Sequence, residues 1–205
     1  MTDPQDAPLG PPQDARRAPA DGSHAYPVTG PVSLTVSLGF GSVRVHARAT
    51  DTVTAQVRPA RTSRRADVDA AERTRVHVTG DAVEVRVPGS TRRFFGSPGS
   101  VDLDLVVPTG SSLRVDAGYA EVEVTGTVDA CAVTTSYGDI RLEDTGRLDV
   151  ESQGGTVTTG RVSGPGKVSS TYGRIRIREA AGAVDLATSS GDITVTRATA
   201  DVTAR

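Results

Sequence analysis

Gly118-Tyr119-Ala120-Glu121-Val122-Glu123-Val124 is the stretch that decides the fold, because the chain repeats it four more times. The copies are Ser136-Tyr137-Gly138-Asp139-Ile140-Arg141-Leu142, Gln153-Gly154-Gly155-Thr156-Val157-Thr158-Thr159, Thr171-Tyr172-Gly173-Arg174-Ile175-Arg176-Ile177 and Ser189-Ser190-Gly191-Asp192-Ile193-Thr194-Val195. The steps between them are 18, 17, 18 and 18 residues. So constant a spacing marks one supersecondary unit stacked on copies of itself.

Two columns of the repeat stay apolar. Val115, Val133, Val150, Val168 and Leu186 form one, and Val122, Ile140, Val157, Ile175 and Ile193 form the other. A looser third holds Val124, Leu142, Thr159, Ile177 and Val195. Alternation of period two sends these inward and the intervening Glu123, Arg141, Thr158, Arg176 and Thr194 outward. Stacked about 4.8 Å apart, each inward residue lies on its equivalents above and below. The pattern predicts an all-β chain, first as a parallel β-solenoid of 18-residue coils with two main strands per coil. An antiparallel stack of β-hairpins is the alternative, since it too gives two strands and a glycine turn per repeat. Glycines 138, 155, 173 and 191, with Gly41 and Ala120 in the equivalent place, are expected at a tight corner between the strands.

Upstream, Leu34-Thr35-Val36 and Val43-Arg44-Val45 flank Gly39-Phe40-Gly41-Ser42 with the nine-residue spacing that separates Leu113/Val115 from Val122/Val124. They read as a displaced member of the repeat. Between them and the main array, residues 58–110 read as an insertion. It holds a short helix over Ala66–Arg73, a hairpin turning at Thr79-Gly80-Asp81, the loop Arg92-Arg93-Phe94-Phe95, and the alternating strand Val101–Val107. Residues 1–27 carry six prolines and almost nothing apolar, which predicts a disordered tail ahead of one domain spanning 28–205. The regular repeats occupy 111–205.

Val, Thr and Gly dominate; there is no Trp, with three Phe and four Tyr, the composition of short strands joined by glycine turns. A formal net charge of −2 offers no field for nucleic acid. Cys131, the single cysteine, shares its column with Leu113, Leu148 and Val184, so it is expected to be a buried and inert thiol. Met1 to Tyr26 lacks an apolar run, and no segment approaches the roughly 18 apolar residues of a membrane helix, so no membrane span and a cytoplasmic location are expected.

Candidate sites are few. Phe40, Tyr119, Tyr137 and Tyr172 stand one position before the glycine column, a row that either stiffens the corner or offers a binding platform for a glycan or another envelope component. Arg92, Arg93, Phe94 and Phe95 are expected to cap an open end or touch a partner. Asp139, Asp192 and Glu121 follow the glycine column, but Thr156 and Arg174 interrupt that file, so turn capping is expected rather than calcium. The hydroxyl runs Thr134-Thr135-Ser136, Ser169-Ser170-Thr171 and Thr188-Ser189-Ser190 read as solvent-face ladders. His24, His46 and His77 have no partner at metal-ligand spacing, and neither a phosphate loop nor a serine elbow is present. The reading is non-enzymatic, with no cofactor and no metal.

The repeated Ser-Tyr-Gly-Asp-Ile-Arg-Leu and Ser-Ser-Gly-Asp-Ile-Thr-Val units, with Gly-Phe-Gly-Ser-Val-Arg-Val and Val101–Val107 before them, resemble a bacterial family of proposed adhesins with β-strand repeats. That domain of unknown function is common in actinobacteria. The resemblance covers residues 30–205 and implies a β-repeat fold without assigned catalytic residues. Together with the repeat it implies an interaction or assembly scaffold, able to self-associate through the edge at Asp201-Val202-Thr203-Ala204-Arg205.

Overall fold

Val133 lies beside Val150, Val150 beside Val168, and Val168 beside Leu186, each pair in parallel register. The second column is the same: Val122, Ile140, Val157, Ile175 and Ile193 follow one another through parallel ladders. The structure, a computed structural model, describes residues 23–89 and 99–205, and its architecture is all-β with one short helix among them. The Arg92-Arg93-Phe94-Phe95 loop and the tail before Ser23 lie outside the described residues.

The strands are β1 (Ser23–Pro27), β2 (Ser33–Arg48), β3 (Thr52–Pro59), β4 (Arg75–Thr79), β5 (Ala82–Arg86), β6 (Val101–Pro108) and β7 (Ser112–Tyr137). They continue as β8 (Ile140–Gly154), β9 (Val157–Val162), β10 (Gly166–Tyr172), β11 (Ile175–Ala180), β12 (Val184–Ser190), β13 (Ile193–Ala198) and β14 (Val202–Ala204). Helix α1 (Arg65–Arg73) lies between β3 and β4. Its alanines 66, 70 and 71 favour the helix, and Thr74 ends it by donating its hydroxyl to the carbonyl of Ala70 at 2.9 Å.

β2 is the displaced repeat: Leu34 pairs with Leu113, Val36 with Val115 and Val43 with Val122, all in parallel. Its other edge is also occupied. Leu34 pairs with Val83 of β5, and Val43 and Val45 pair with Leu103 and Leu105 of β6, again in parallel. β5 and β6 therefore form a layer of their own, stacked on the far side of residues 33–48 rather than between them and residue 112. Ser111 pins the junction: fully buried, its hydroxyl accepts from the Val32 amide and donates to the Pro108 carbonyl.

The ends of the stack differ. Beyond β5 and β6, β4 pairs antiparallel with β5, and β3 antiparallel with β6, with β1 antiparallel on β3. Val53, Ala55, Val76, Val83 and Val85 are buried under this cover. At the opposite end no strand pairs with the outer edge of β13 or β14 among the described residues. Ile175, Ile177 and Ala180 are buried, whereas their next-coil equivalents Ile193 and Val195 are partly open and Ala198 is exposed.

One expectation about the interior is overturned. Thr135 and Ser170 belong to the hydroxyl runs read as solvent-facing, yet they are buried, as is Ser152 in the equivalent place of the layer between them. The period-two pattern carries them inward behind Cys131 and Val133, and the corner supplies carbonyls that need donors. Thr135 Oγ1 donates to Gly118 O at 3.1 Å, Ser152 Oγ to Gly154 O at 3.0 Å, and Thr188 Oγ1 to Gly173 O at 3.3 Å. Cys131 is buried as expected, and burial pushes its thiol up to about 12, which leaves it unreactive.

Thr159 breaks the third apolar column. It pairs with Leu142 and Ile177, is buried, and its hydroxyl has no hydrogen-bond partner. Valine has nearly the same shape without the stranded hydroxyl. Thr159→Val is expected to stabilise the protein by about 1 kcal/mol, read as a higher urea midpoint at unchanged m. A lower midpoint would mean that the hydroxyl is satisfied.

Candidate functional site

By parity Tyr119 and Tyr137 belong with the inward residues, but the chain turns at the corner and swings them out, to 54% and 46% exposure. Tyr172 is 64% exposed. Because Phe40 is in register with Tyr119, their rings stack with centroids 5.2 Å apart and an angle of 6° between planes. Tyr119 stacks on Tyr137 in turn, at 5.4 Å and 14°. Gly154 occupies the next place, and a β-carbon there would lie 2.8 Å from Cδ1 and Cε1 of Tyr137, so the Tyr137 ring leans across this coil. Tyr172 pairs with Gly154 and stands beyond that gap.

Stacking changes what the row can do. The rings cover much of one another's faces, so their edges meet solvent along the row and free faces remain only at its ends. A sugar stacks on a ring face, and the geometry gives no continuous platform of that kind.

At the Phe40 end the row opens into a cleft of about 470 Å³ lined by Phe40, Gly41, Arg61, Arg64, Ser100, Asp102 and Tyr119. Three of the lining residues, Arg61, Arg64 and Ser100, are held from behind by a buried carboxylate. Asp67, in the first turn of α1, is fully buried and accepts from Arg61 Nε at 3.2 Å, Arg64 Nη1 at 3.1 Å and the Ser100 amide at 2.9 Å. Burial by itself raises the carboxyl pKa; the Ser100 amide and the two arginines outweigh it and hold the group below the usual aspartate value. Asp102, also on the lining, accepts from the Ser42 hydroxyl at 2.7 Å.

None of Arg61, Arg64, Asp67, Ser100 or Asp102 stands out in the sequence, where residues 58–75 read only as polar and charged. An aspartate in a first helical turn with arginines three and six residues before it is the signal that was available. The other candidates fall elsewhere. Asp139 accepts the Thr156 amide of the next coil at 2.9 Å, and Asp192 lies 3.6 Å from Arg174. His46 Nδ1 is 2.8 Å from Thr125 Oγ1. Among the described residues no group of three or more His, Cys, Asp or Glu is placed to hold a metal ion, and no helix is long and apolar enough to cross a membrane.

The sequence model of the Toastrack DUF4097 family matches residues 33–204. No curated protein matches the chain. Among solved structures it is similar to a proposed cell adhesion protein from Clostridium sporogenes, with 9% identity and a TM-score of 0.39 over 89% of this chain and 99% of that one. A proposed adhesin from Parabacteroides merdae gives 10% identity and a TM-score of 0.40 over 89% and 95%. A proposed lipid-binding protein from Parabacteroides distasonis gives 12% identity and 0.33 over 89% and 94%. Likeness this distant carries no information about ligand or role.

Proposed function

Because the chain belongs to the Toastrack DUF4097 family, whose match takes in nearly all of its repeats, we propose that it is a non-catalytic, adhesin-like β-solenoid scaffold that joins a second copy of itself through its uncovered end. The parallel ladders, with partners 17 or 18 residues apart, support the solenoid over a hairpin stack. The non-catalytic reading draws on where the reactive groups are spent. Asp67, the one buried carboxylate among the described residues, is consumed by three structural hydrogen bonds, and the Cys131 thiol is sealed in the core.

The observation that carries the self-association is the contrast between the ends. One is covered by antiparallel strands; the other leaves Ile193, Val195 and Val202 partly open beside unpaired strand edges. Open-ended stacking, end upon opposite end, requires a parallel edge at both ends, and β3 and β4 occupy it at one. Two uncovered ends can meet across a two-fold axis, which closes the assembly at a dimer.

Sedimentation velocity of the full chain over a wide concentration range tests this. The expected result is a concentration-dependent dimer that reverts to monomer when Val202→Lys or Val195→Lys places a charge on the open end, with circular dichroism unchanged. A monomer at every concentration, or a dimer indifferent to both folded variants, overturns the proposal.

A further inference from the structure

Among the described residues the corner column of aromatic rings is missing one member, and the cleft lies at that place. Val101 pairs with Gly41, and Gly41 with Ala120. The residues just before these three are Ser100, Phe40 and Tyr119. One face of Phe40 is stacked on Tyr119. Where the next layer would put a ring stands the small Ser100, and about 470 Å³ of open volume is lined by Ser100, Phe40 and the edge of the row at Tyr119. That volume lies within the range of small-molecule sites, roughly 300–1,000 Å³.

The polar lining narrows the class of occupant. Arg61 and Arg64 each give Asp67 one donor, which fixes the two guanidiniums without exhausting them. Arg61 remains 62% exposed and Arg64 34%. Two cations against the buried Asp67 leave one positive charge beside the guanidiniums, and Asp102 elsewhere on the lining brings the formal sum of the four groups to zero. Asp102, also on the lining, disfavours a second negative charge and so argues against a phosphate dianion. Planar guanidinium groups both stack on rings and bind carboxylates through paired N–H groups.

We propose that this cleft binds a flat aromatic monocarboxylate. The ring takes the vacant place in the stack over Phe40, and the carboxylate takes the donors of Arg61 and Arg64 that Asp67 leaves free. This binding does not depend on self-association, because the cleft is at the covered end of the stack.

Isothermal titration of the full chain with 2-naphthoate, its neutral amide and cyclohexanecarboxylate tests charge and flatness separately. Naphthoate is expected to bind saturably at one site, with the amide and the cyclohexane acid at least tenfold weaker. Ser100→Phe fills the missing place from within and is expected to weaken naphthoate at least tenfold. Arg61→Gln does the same by removing the charge, and its exposed position keeps the test available if Ser100→Phe fails to fold. No saturable binding, equal binding of the cyclohexane acid, or undiminished binding in both folded variants overturns the proposal. So does naphthoate binding that appears only once Phe94 and Phe95 are replaced by Ala, since the vacancy then belongs to the chain itself.

Discussion

Replacing Gly138 by alanine is expected to destabilise the protein by about 3 kcal/mol or more, the sum of two separable effects. Gly138 has φ +143°, a conformation that side-chain-bearing residues rarely adopt, and a β-carbon on it would be driven into the Ala120 carbonyl of the coil below. Two other glycines isolate the terms. Gly80 in the β4–β5 turn has φ +61° with nothing near its missing β-carbon, so Gly80→Ala pays only for backbone conformation, about 1 kcal/mol. Gly173 lies outside the positive-φ set, but a β-carbon there would strike the Gly155 carbonyl, so Gly173→Ala isolates the clash. Urea midpoints are expected to fall in the order Gly80→Ala least, Gly173→Ala more, Gly138→Ala most. A Gly138→Ala protein no weaker than Gly80→Ala would mean that the coils can separate at the corner, against the close approach described above.

Asp67→Ala is expected to lose about 2–4 kcal/mol, from charge-assisted hydrogen bonds and a stranded Ser100 amide. The loss stays below that of a fully buried ion pair because Arg61, 62% exposed, regains water once released. Asp67→Asn keeps the shape and isolates the charge. The folded-state pKa of Asp67 is lowered, so its stabilisation is complete above the unfolded value of about 3.9 and is lost as pH falls through the folded value. The stability gap between the native chain and Asp67→Asn is therefore expected to be flat from pH 8 to 5 and to narrow below about pH 4. Urea denaturation across that range reads it directly. A gap that widens in acid would mean that the carboxyl is protonated in the folded protein.

The columns of the repeat were legible because they are local. Inward and outward faces follow from alternation within a strand, and Val133, Val150 and Val168 stack because each obeys the same rule. The same rule already pointed inward at Thr135 and Ser170; reading their hydroxyls as surface groups put polarity ahead of parity. The Gly118 carbonyl that bonds Thr135 belongs to the corner and is invisible in a strand pattern, while the Ser170 hydroxyl is buried with no hydrogen-bond partner. The ring row was legible as a column, whereas its end was not. The cleft needs Ser100, Phe40 and the Arg61–Asp67–Arg64 cluster brought together across 60 residues of chain.

By itself the sequence determined the unit: its length, its inward columns, its glycine corner, and the membership of Leu34–Val45 in the stack. Only the tertiary structure decided the order in which units lie. Every coil offers the same register on both edges, so periodicity cannot say which coil is whose neighbour. Taken in chain order, residues 101–108 would stack against residues 112–128, with Asp104 beside Glu123 and Asp102 beside Glu121. In the structure Arg44 stands between Asp104 and Glu123, and Ser42 between Asp102 and Glu121. The sign of charge then alternates up the column, Asp104, Arg44, Glu123, Arg141. Each exposed pair contributes little, about 0.2–1 kcal/mol. Like charges placed opposite one another oppose stacking by similar amounts, and the contacts that choose between such orders exist only once distant segments meet.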